Sequence, residues 1–405
     1  MARMSNGSPD LSEPEAPPLA GVKVVEFTHM VMGPSVGVIL ADLGAEVIKV
    51  EPIGGDPTRR LLGSGAGYFP MFNRNKRSVC LDLKSPDGLV LARRLVDAAD
   101  VMIENYRPGT LERLGLGPDT FKASNPGLIA CSAKGFLSGP YEQRTALDEV
   151  TQMMGGLAYM TGPPGRPLRA GASVIDITGG MFGAIGILAA LHRRDRTGRG
   201  ADVRCSLFET TAFLVGQHMA QQAVTGEPAQ PMPVRVSAWA IYDVFETLRA
   251  EEQLFVGVVS DAQWRSFVEA FDLGDVGANS AFATNNARVM ARHEILPVVR
   301  ALFETLPREA LVAELERLGL PFAPIARPDD LFEDAHLNAA GGLLNVTIPG
   351  GEATKLPGLP IEVDGRRFGL TRDIPAIGAD TEPVFAELGM AETELAALRA
   401  RGVVQ

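Results

Sequence analysis

Apolar positions near the start of the chain fall in short dense runs separated by turn signals. Residues 22–27 form such a run and read as a buried strand; Gly33 and Pro34 then turn the chain into an apolar helix over 36–43, which Gly44 ends. A second strand follows over 46–51. Strand, helix and strand within about 30 residues is the unit that makes right-handed parallel crossovers. The unit recurs as a strand over 78–83, a helix over 86–98, a strand over 101–104, a helix over 109–114 and a strand over 128–132. This alternation predicts an α/β fold with a parallel sheet.

Further along, 147–160 reads as a helix and 171–175 as a short strand that delivers Asp176. A long apolar helix over 181–194, a strand over 201–206 and a helix over 207–225 follow. Pro228, Pro231 and Pro233 mark a boundary in 226–238, beyond which a different domain begins. Its pattern gives strands near 240–247 and 253–259, helices over 262–271, 293–304 and 308–318, and a returning strand over 321–325. An amphipathic helix over 392–401 ends the tail.

Composition fits an ordinary soluble globular protein of about two domains: 405 residues, 46% hydrophobic and 21% charged. A net charge of -11 argues against nucleic acid or an anionic membrane as a general partner. The three cysteines, Cys80, Cys131 and Cys205, are too far apart to clamp zinc or form a redox pair, which suits a reducing compartment. Residues 1–18 lack a secretory signal and read as a disordered leader. The longest apolar run, 181–191, has 11 residues against the roughly 20 that a bilayer span needs. A cytoplasmic protein with no membrane partner is the expectation.

Hydrolase and metal templates find no match. There is no Gly-x-Ser-x-Gly elbow and no His-Glu-x-x-His, and the five histidines are scattered singly. Gly63, Gly65 and Gly67 do not make a dinucleotide fingerprint, because they do not join a strand directly to a helix. What remains is Asp176, followed by Gly179 and Gly180 ahead of the apolar helix. Two accounts stay open. Asp176 caps the helix through its N–H groups, or it is a nucleophile, with Gly179 and Gly180 letting backbone N–H groups approach an oxyanion.

Several spaced strings now matter together: Gly33-Pro34, the run 40–51 (LADLGAEVIKVE), the run 73–78 (NRNKRS), the run 104–109 (ENYRPG) and Lys134-Gly135-Phe136. The series continues through Asp176, the run 186–191 (GILAAL), the run 197–200 (TGRG) and the run 206–209 (SLFE). In this order the chain resembles the class III CoA-transferases, the group of carnitine CoA-transferase, formyl-CoA transferase and α-methylacyl-CoA racemase, over almost everything after residue 18. The resemblance puts Asp176 on the family's nucleophilic aspartate. It implies CoA transfer between carboxylic acids through an aspartyl mixed anhydride, with coenzyme A as substrate and no tightly bound cofactor or metal. An ordinary carboxylate is ionised at neutral pH, as such a nucleophile must be.

By the same resemblance Lys76, Asn105, Tyr106 and Arg113 take CoA-contacting positions, and Met30 and Val31 line the nucleotide pocket. Residues 49–144 hold 14 Lys+Arg against 10 Asp+Glu, while the rest of the chain holds 24 against 39, so a basic surplus coincides with these motifs. The loop residues Arg74, Lys76 and Arg77 fit an anion site. Arg144, Asp148 and Arg169 flank the expected acyl pocket, where a guanidinium suits the second carboxylate of a short dicarboxylic acid such as succinate, mesaconate or itaconate; a surface salt bridge is the alternative. The racemase branch's His-Asp pair reads Leu147-Asp148 here, which disfavours racemisation. Residues 234–239 lack the glycine run of formyl-CoA transferases, which disfavours oxalate and formate. A racemase or isomerase of the same family, or a non-catalytic acyl-CoA-binding protein, stays as the alternative. The family fold implies a Rossmann-like large domain over 19–226 and 327–405, an inserted smaller α+β domain over 227–326, and an interlocked homodimer.

Overall fold

The computed structural model describes residues 16–405, so residues 1–15 of the expected leader lie outside the described residues. The chain forms two compact units, one of residues 16–229 with Ala335–Gln405 and the other Gln230–Asp334. The first is built on a six-stranded sheet of β1 Lys23–Phe27, β2 Glu46–Glu51, β3 Lys76–Cys80, β4 Val101–Glu104, β5 Ile129–Lys134 and β6 Ala201–Ser206. Every pairing is parallel and the order is β3-β2-β1-β4-β5-β6. This is the doubly wound order, and it reverses between β1 and β4, where a crevice opens beyond the carboxyl ends of the strands.

Alternate residues of the central strands feed two cores, which is why apolar residues run on consecutively in them, as at Val24 and Val25 and at Val101, Met102 and Ile103. Val25, Phe27 and Met102 pack under the helix Pro86–Asp97 and the tail helices Thr381–Glu387 and Glu392–Ala400. Val24, Val101, Ile103 and Cys131 pack under the helices Met32–Asp42 and Val174–Thr197. The sheet's β3 edge is closed by the tail. Asp380 Oδ2 accepts the Ser78 N–H at 3.0 Å, and Thr381 Oγ1 accepts the Cys80 N–H at 3.1 Å.

Three sequence expectations are corrected here. No strand forms over 171–175; the helix already begins at Val174 and runs 24 residues to Thr197. Val174 and Ile175 favour strand by their β-branched side chains, but burial of Ile175 in the core under the sheet overrides that preference. The expected helix over 147–160 is two helices, Asp148–Met154 and Leu157–Thr161, broken where Gly156 takes φ +85°. The 24-residue helix is also long and apolar enough to cross a bilayer, unlike the 11-residue run that composition offered, yet its face at Gly179, Gly180 and Gly183 packs against Met32, Ser35 and Val36.

The second unit carries an antiparallel sheet, β7 Tyr242–Phe245, β8 Leu254–Gly257 and β9 Phe322–Pro324. Phe245, Phe267 and Phe303 form an aromatic cluster between this sheet and the helices Asp261–Phe271 and Arg292–Phe303. The unit runs on to Asp334 instead of ending at 326, because the short helix Pro328–Glu333 follows β9 within it.

Candidate active site

Asp176 lies in the first turn of the helix Val174–Thr197, and it does not cap that helix. Ser173 holds the cap position without a side-chain hydrogen bond, and the free N–H groups are met from another helix. Asp148 Oδ2 accepts the N–H of Ile175 at 2.8 Å and of Asp176 at 3.1 Å. Its Oδ1 accepts Gln152 Nε2 at 2.5 Å, and Arg169 Nη2 lies 3.8 Å away. A buried carboxylate at a helix N-terminus is well placed for those amides and for the helix dipole. Asp148 is thus an anchor of the helix that carries Asp176, with only 7% of its surface exposed.

Asp176 itself opens into a cavity of about 290 Å³ that Asp148 and Arg169 also line. Burial, followed by the nearby Asp148 charge, pushes its carboxyl up to about 7, against the pull of Arg169. The expectation of an untuned carboxylate is corrected: near neutral pH this group is poised between its two forms.

The facing wall comes from the carboxyl ends of β1, β4 and β5. The Asn105 amide ties down the turn after β1, accepting the His29 N–H at 3.0 Å and donating to the His29 carbonyl at 2.8 Å. The following residue, Met30, takes φ +63° and donates its N–H to Thr58 Oγ1 at 3.0 Å. His29, Met30, Asn105 and Lys134 all line the cavity. Burial holds the His29 imidazole below its usual range, and its ring stacks on Tyr106 with centroids 5.9 Å apart. Lys134, at the end of β5, pairs with Glu104 at 2.6 Å. His29 and Lys134 are lining residues that the sequence reading did not assign; the signal for Lys134 was its place at the carboxyl end of a central parallel strand.

The remaining predicted residues scatter. Lys76 is 1% exposed and bonds Glu26 at 2.8 and 3.0 Å, so no phosphate reaches it. Arg74 pairs with Asp42 at 2.6 Å, and Arg77 with Glu46 at 2.5 Å and Glu387 at 2.7 Å. The loop expected at these three cations is corrected, since Lys76 and Arg77 open β3; all three hold the fold together through ion pairs. Val31 is 1% exposed in a small cluster with Val38 and Phe72 and does not line the cavity. Tyr106 is half-buried against the core below His29. Arg113 is exposed and donates to Thr110 Oγ1, and Arg144 is exposed over the Tyr141 ring at 4.9 Å; neither lines the cavity.

Gly179 and Gly180 do not form an oxyanion hole. They sit inside the helix, where the N–H groups serve the helical ladder, and a Cβ at either would lie 2.7 Å from Met32 Cε or 2.6 Å from Ser35 Cβ. Their smallness lets two helices touch.

Comparison with known proteins places this geometry. The model of CoA-transferase family III matches residues 19–381. A succinate–glutarate CoA-transferase of Agrobacterium fabrum is 34% identical over 393 residues, covering 92% of this chain and 96% of its own. A succinyl-CoA–D-citramalate CoA-transferase of Chloroflexus aurantiacus is 32% identical, covering 96% of this chain and 98% of its own. The crystal structure of a CaiB/BaiF family protein from Brucella suis superposes with a TM-score of 0.81 at 33% identity, over 92% of this chain and all of that one. With a parallel-sheet crevice, a carboxylate at its mouth and a family match that spans nearly the whole chain, this protein belongs to CoA-transferase family III.

Proposed function

We propose that the protein moves CoA from an acyl-CoA thioester to a short dicarboxylic acid, through an anhydride on Asp176. The observation that carries this reading is the half-buried Asp176 carboxylate opening into the cavity with the Arg169 guanidinium on the same wall. The ionised carboxylate attacks the thioester carbonyl, the C–S bond breaks, and its electron pair leaves with the CoA thiolate. The retained thiolate then attacks the Asp176 carbonyl and frees the donor acid, leaving an aspartyl thioester. The acceptor carboxylate displaces the thiolate to form a second anhydride, and attack by the thiolate on the acceptor's carbonyl regenerates Asp176. Every nucleophile enters as an anion, so no separate proton carrier is needed.

Arg169 supports a dicarboxylate, since one carboxylate of the acceptor reacts while a guanidinium holds the other. The names of the relatives, which pair succinate or succinyl-CoA with glutarate or citramalate, point the same way. For the phosphates of CoA, the exposed Arg113, in the helix that follows β4, is the candidate contact, with Asn105 and Met30 at the pocket mouth. A homodimer is supported by the large apolar side chains left in solvent on two helices: Ile185 is 58% exposed, Phe213 72% and Met219 66%. A second reading, racemisation at the α-carbon, draws on the Asp176 carboxyl near 7, a value suited to a general base. It needs a second proton carrier, and Leu147 stands where the resemblance places the racemase branch's histidine.

The test is a panel of acyl-CoA donors against carboxylic acids, read by mass spectrometry, with Asp176→Ala alongside. Transfer by the native protein and none by Asp176→Ala, with CoA binding kept, is the expected outcome. Full activity in Asp176→Ala sinks the mechanism, and deuterium entering the α-position without any free acid supports the racemase reading instead.

A further inference from the structure

The guanidinium of Arg169 is held on three sides. Its Nε donates to the carbonyl of Ala170 at 3.1 Å and its Nη2 to the carbonyl of Ala172 at 3.1 Å, while its Nη1 donates to Glu149 Oε1 at 2.6 Å. Asp148 lies 3.8 Å from Nη2 on the buried side. The two carbonyls belong to its own loop and Asp148 is committed to the helix amides, so these contacts fix the direction of the fork. Glu149 differs from them. Its side chain is 58% exposed, it projects from the first turn of the helix Asp148–Met154, and it lines the cavity beside Arg169 and Asp176.

We propose that Glu149 is an internal stand-in for the distal carboxylate of the acceptor: it occupies Arg169 in the empty site and is displaced when a dicarboxylic acid binds, so it competes with dicarboxylates for the fork and tempers how tightly they bind. The inference rests on the reading of Arg169 as the dicarboxylate contact. A carboxylate on a guanidinium is readily replaced by another anion that reaches the same donor, as the second carboxylate of the acceptor does. A monocarboxylic acid has its single carboxylate at the reacting centre and nothing with which to displace Glu149. An exposed ion pair is weak, so exchange is easy and the competition small but measurable. Without Glu149 to displace, the acceptor binds more tightly, and removal of one negative charge beside Asp148 and Asp176 acts in the same direction.

The experiment compares the native protein, Glu149→Gln and Arg169→Met, with succinyl-CoA as donor and glutarate or pentanoate as acceptor. Glu149→Gln is expected to lower the KM for glutarate about two- to fivefold, the range set by an exposed ion pair. Its KM for pentanoate stays within a factor of about two. In Arg169→Met the two acids converge, because the fork that tells them apart is gone. Titration of glutarate into the CoA-bound protein, followed by calorimetry, reads the same displacement without turnover: Glu149→Gln binds more tightly than the native protein. Equal changes for the two acids, or native turnover with no tightening in the titration, overturn the proposal and leave CoA transfer standing. Tightening in the titration without transfer to any acid overturns the transfer reading and leaves the displacement standing.

Discussion

Asp148 Oδ2 accepts the backbone N–H of Asp176 at 3.1 Å, so one carboxylate fixes the position of another and raises its affinity for a proton. In the proposed mechanism Asp176 attacks only when ionised, and its carboxyl sits near 7, so kcat/KM for the acyl-CoA should rise with pH through that value and level off above it. Asp148→Asn keeps an oxygen for the helix amides and removes the charge. The acidic limb of the kcat/KM profile should therefore move to lower pH. A limb that stays in place would show that Asp148 acts through position alone.

Asp176 also sets a cost in stability. Its folded-state affinity for protons exceeds that of the unfolded chain, so the fold loses stability as pH rises from about 4 to about 7 and the loss is complete above that. Asp176→Asn removes the buried charge. It should stabilise the ligand-free protein by on the order of 3 kcal/mol at pH 8, with a smaller gain at pH 5, as read by urea unfolding at the two values. A gain that does not depend on pH would contradict the raised carboxyl.

Lys76 is held by Glu26 inside the core, and burial brings its ammonium down to about 8 despite that partner. A Cβ on residue 37 would overlap Glu26 Oε2, so Gly37 belongs to the same arrangement. Lys76→Ala leaves Glu26 buried without that partner and should cost about 3–5 kcal/mol in chemical denaturation. Lys76→Met combined with Glu26→Gln should recover most of that loss. A loss of CoA affinity in the stable double variant would return Lys76 to the ligand site.

Gly180→Ala tests the helix contact directly. The added methyl meets Ser35 Cβ at 2.6 Å and the Met32 carbonyl oxygen at 3.0 Å, so the two helices must part. Destabilisation of about 1–3 kcal/mol is expected, measured by thermal or urea unfolding. The alanine keeps its backbone N–H, so transfer activity per folded molecule should fall only as far as Asp176 is displaced.

The parallel sheet was legible because strands buried on both faces carry consecutive apolar residues, as Val24 and Val25 or Met102 and Ile103 show. Asp176 was legible through its motif, but its setting was not: Val174 and Ile175 look like strand, and the helix that contains them is selected by packing. Charged residues misled most. Arg74, Lys76 and Arg77 are visible in the sequence as cations, while the partners that bury them stand 32, 50 and 310 positions away. Asp148 escaped correct assignment for a related reason, since its partners are backbone amides 27 and 28 positions on, and amides carry no sequence signature.

The closure of β3 by Asp380 and Thr381 joins residues about 300 positions apart in the chain. Contacts of such long range come late in folding. During synthesis the sheet therefore waits, with the β3 edge open, until the whole second unit and most of the tail have emerged. An open edge is a template for pairing with other chains. Truncation before residue 380 should therefore appear first as aggregation of nascent protein, and only secondarily as lost transfer activity.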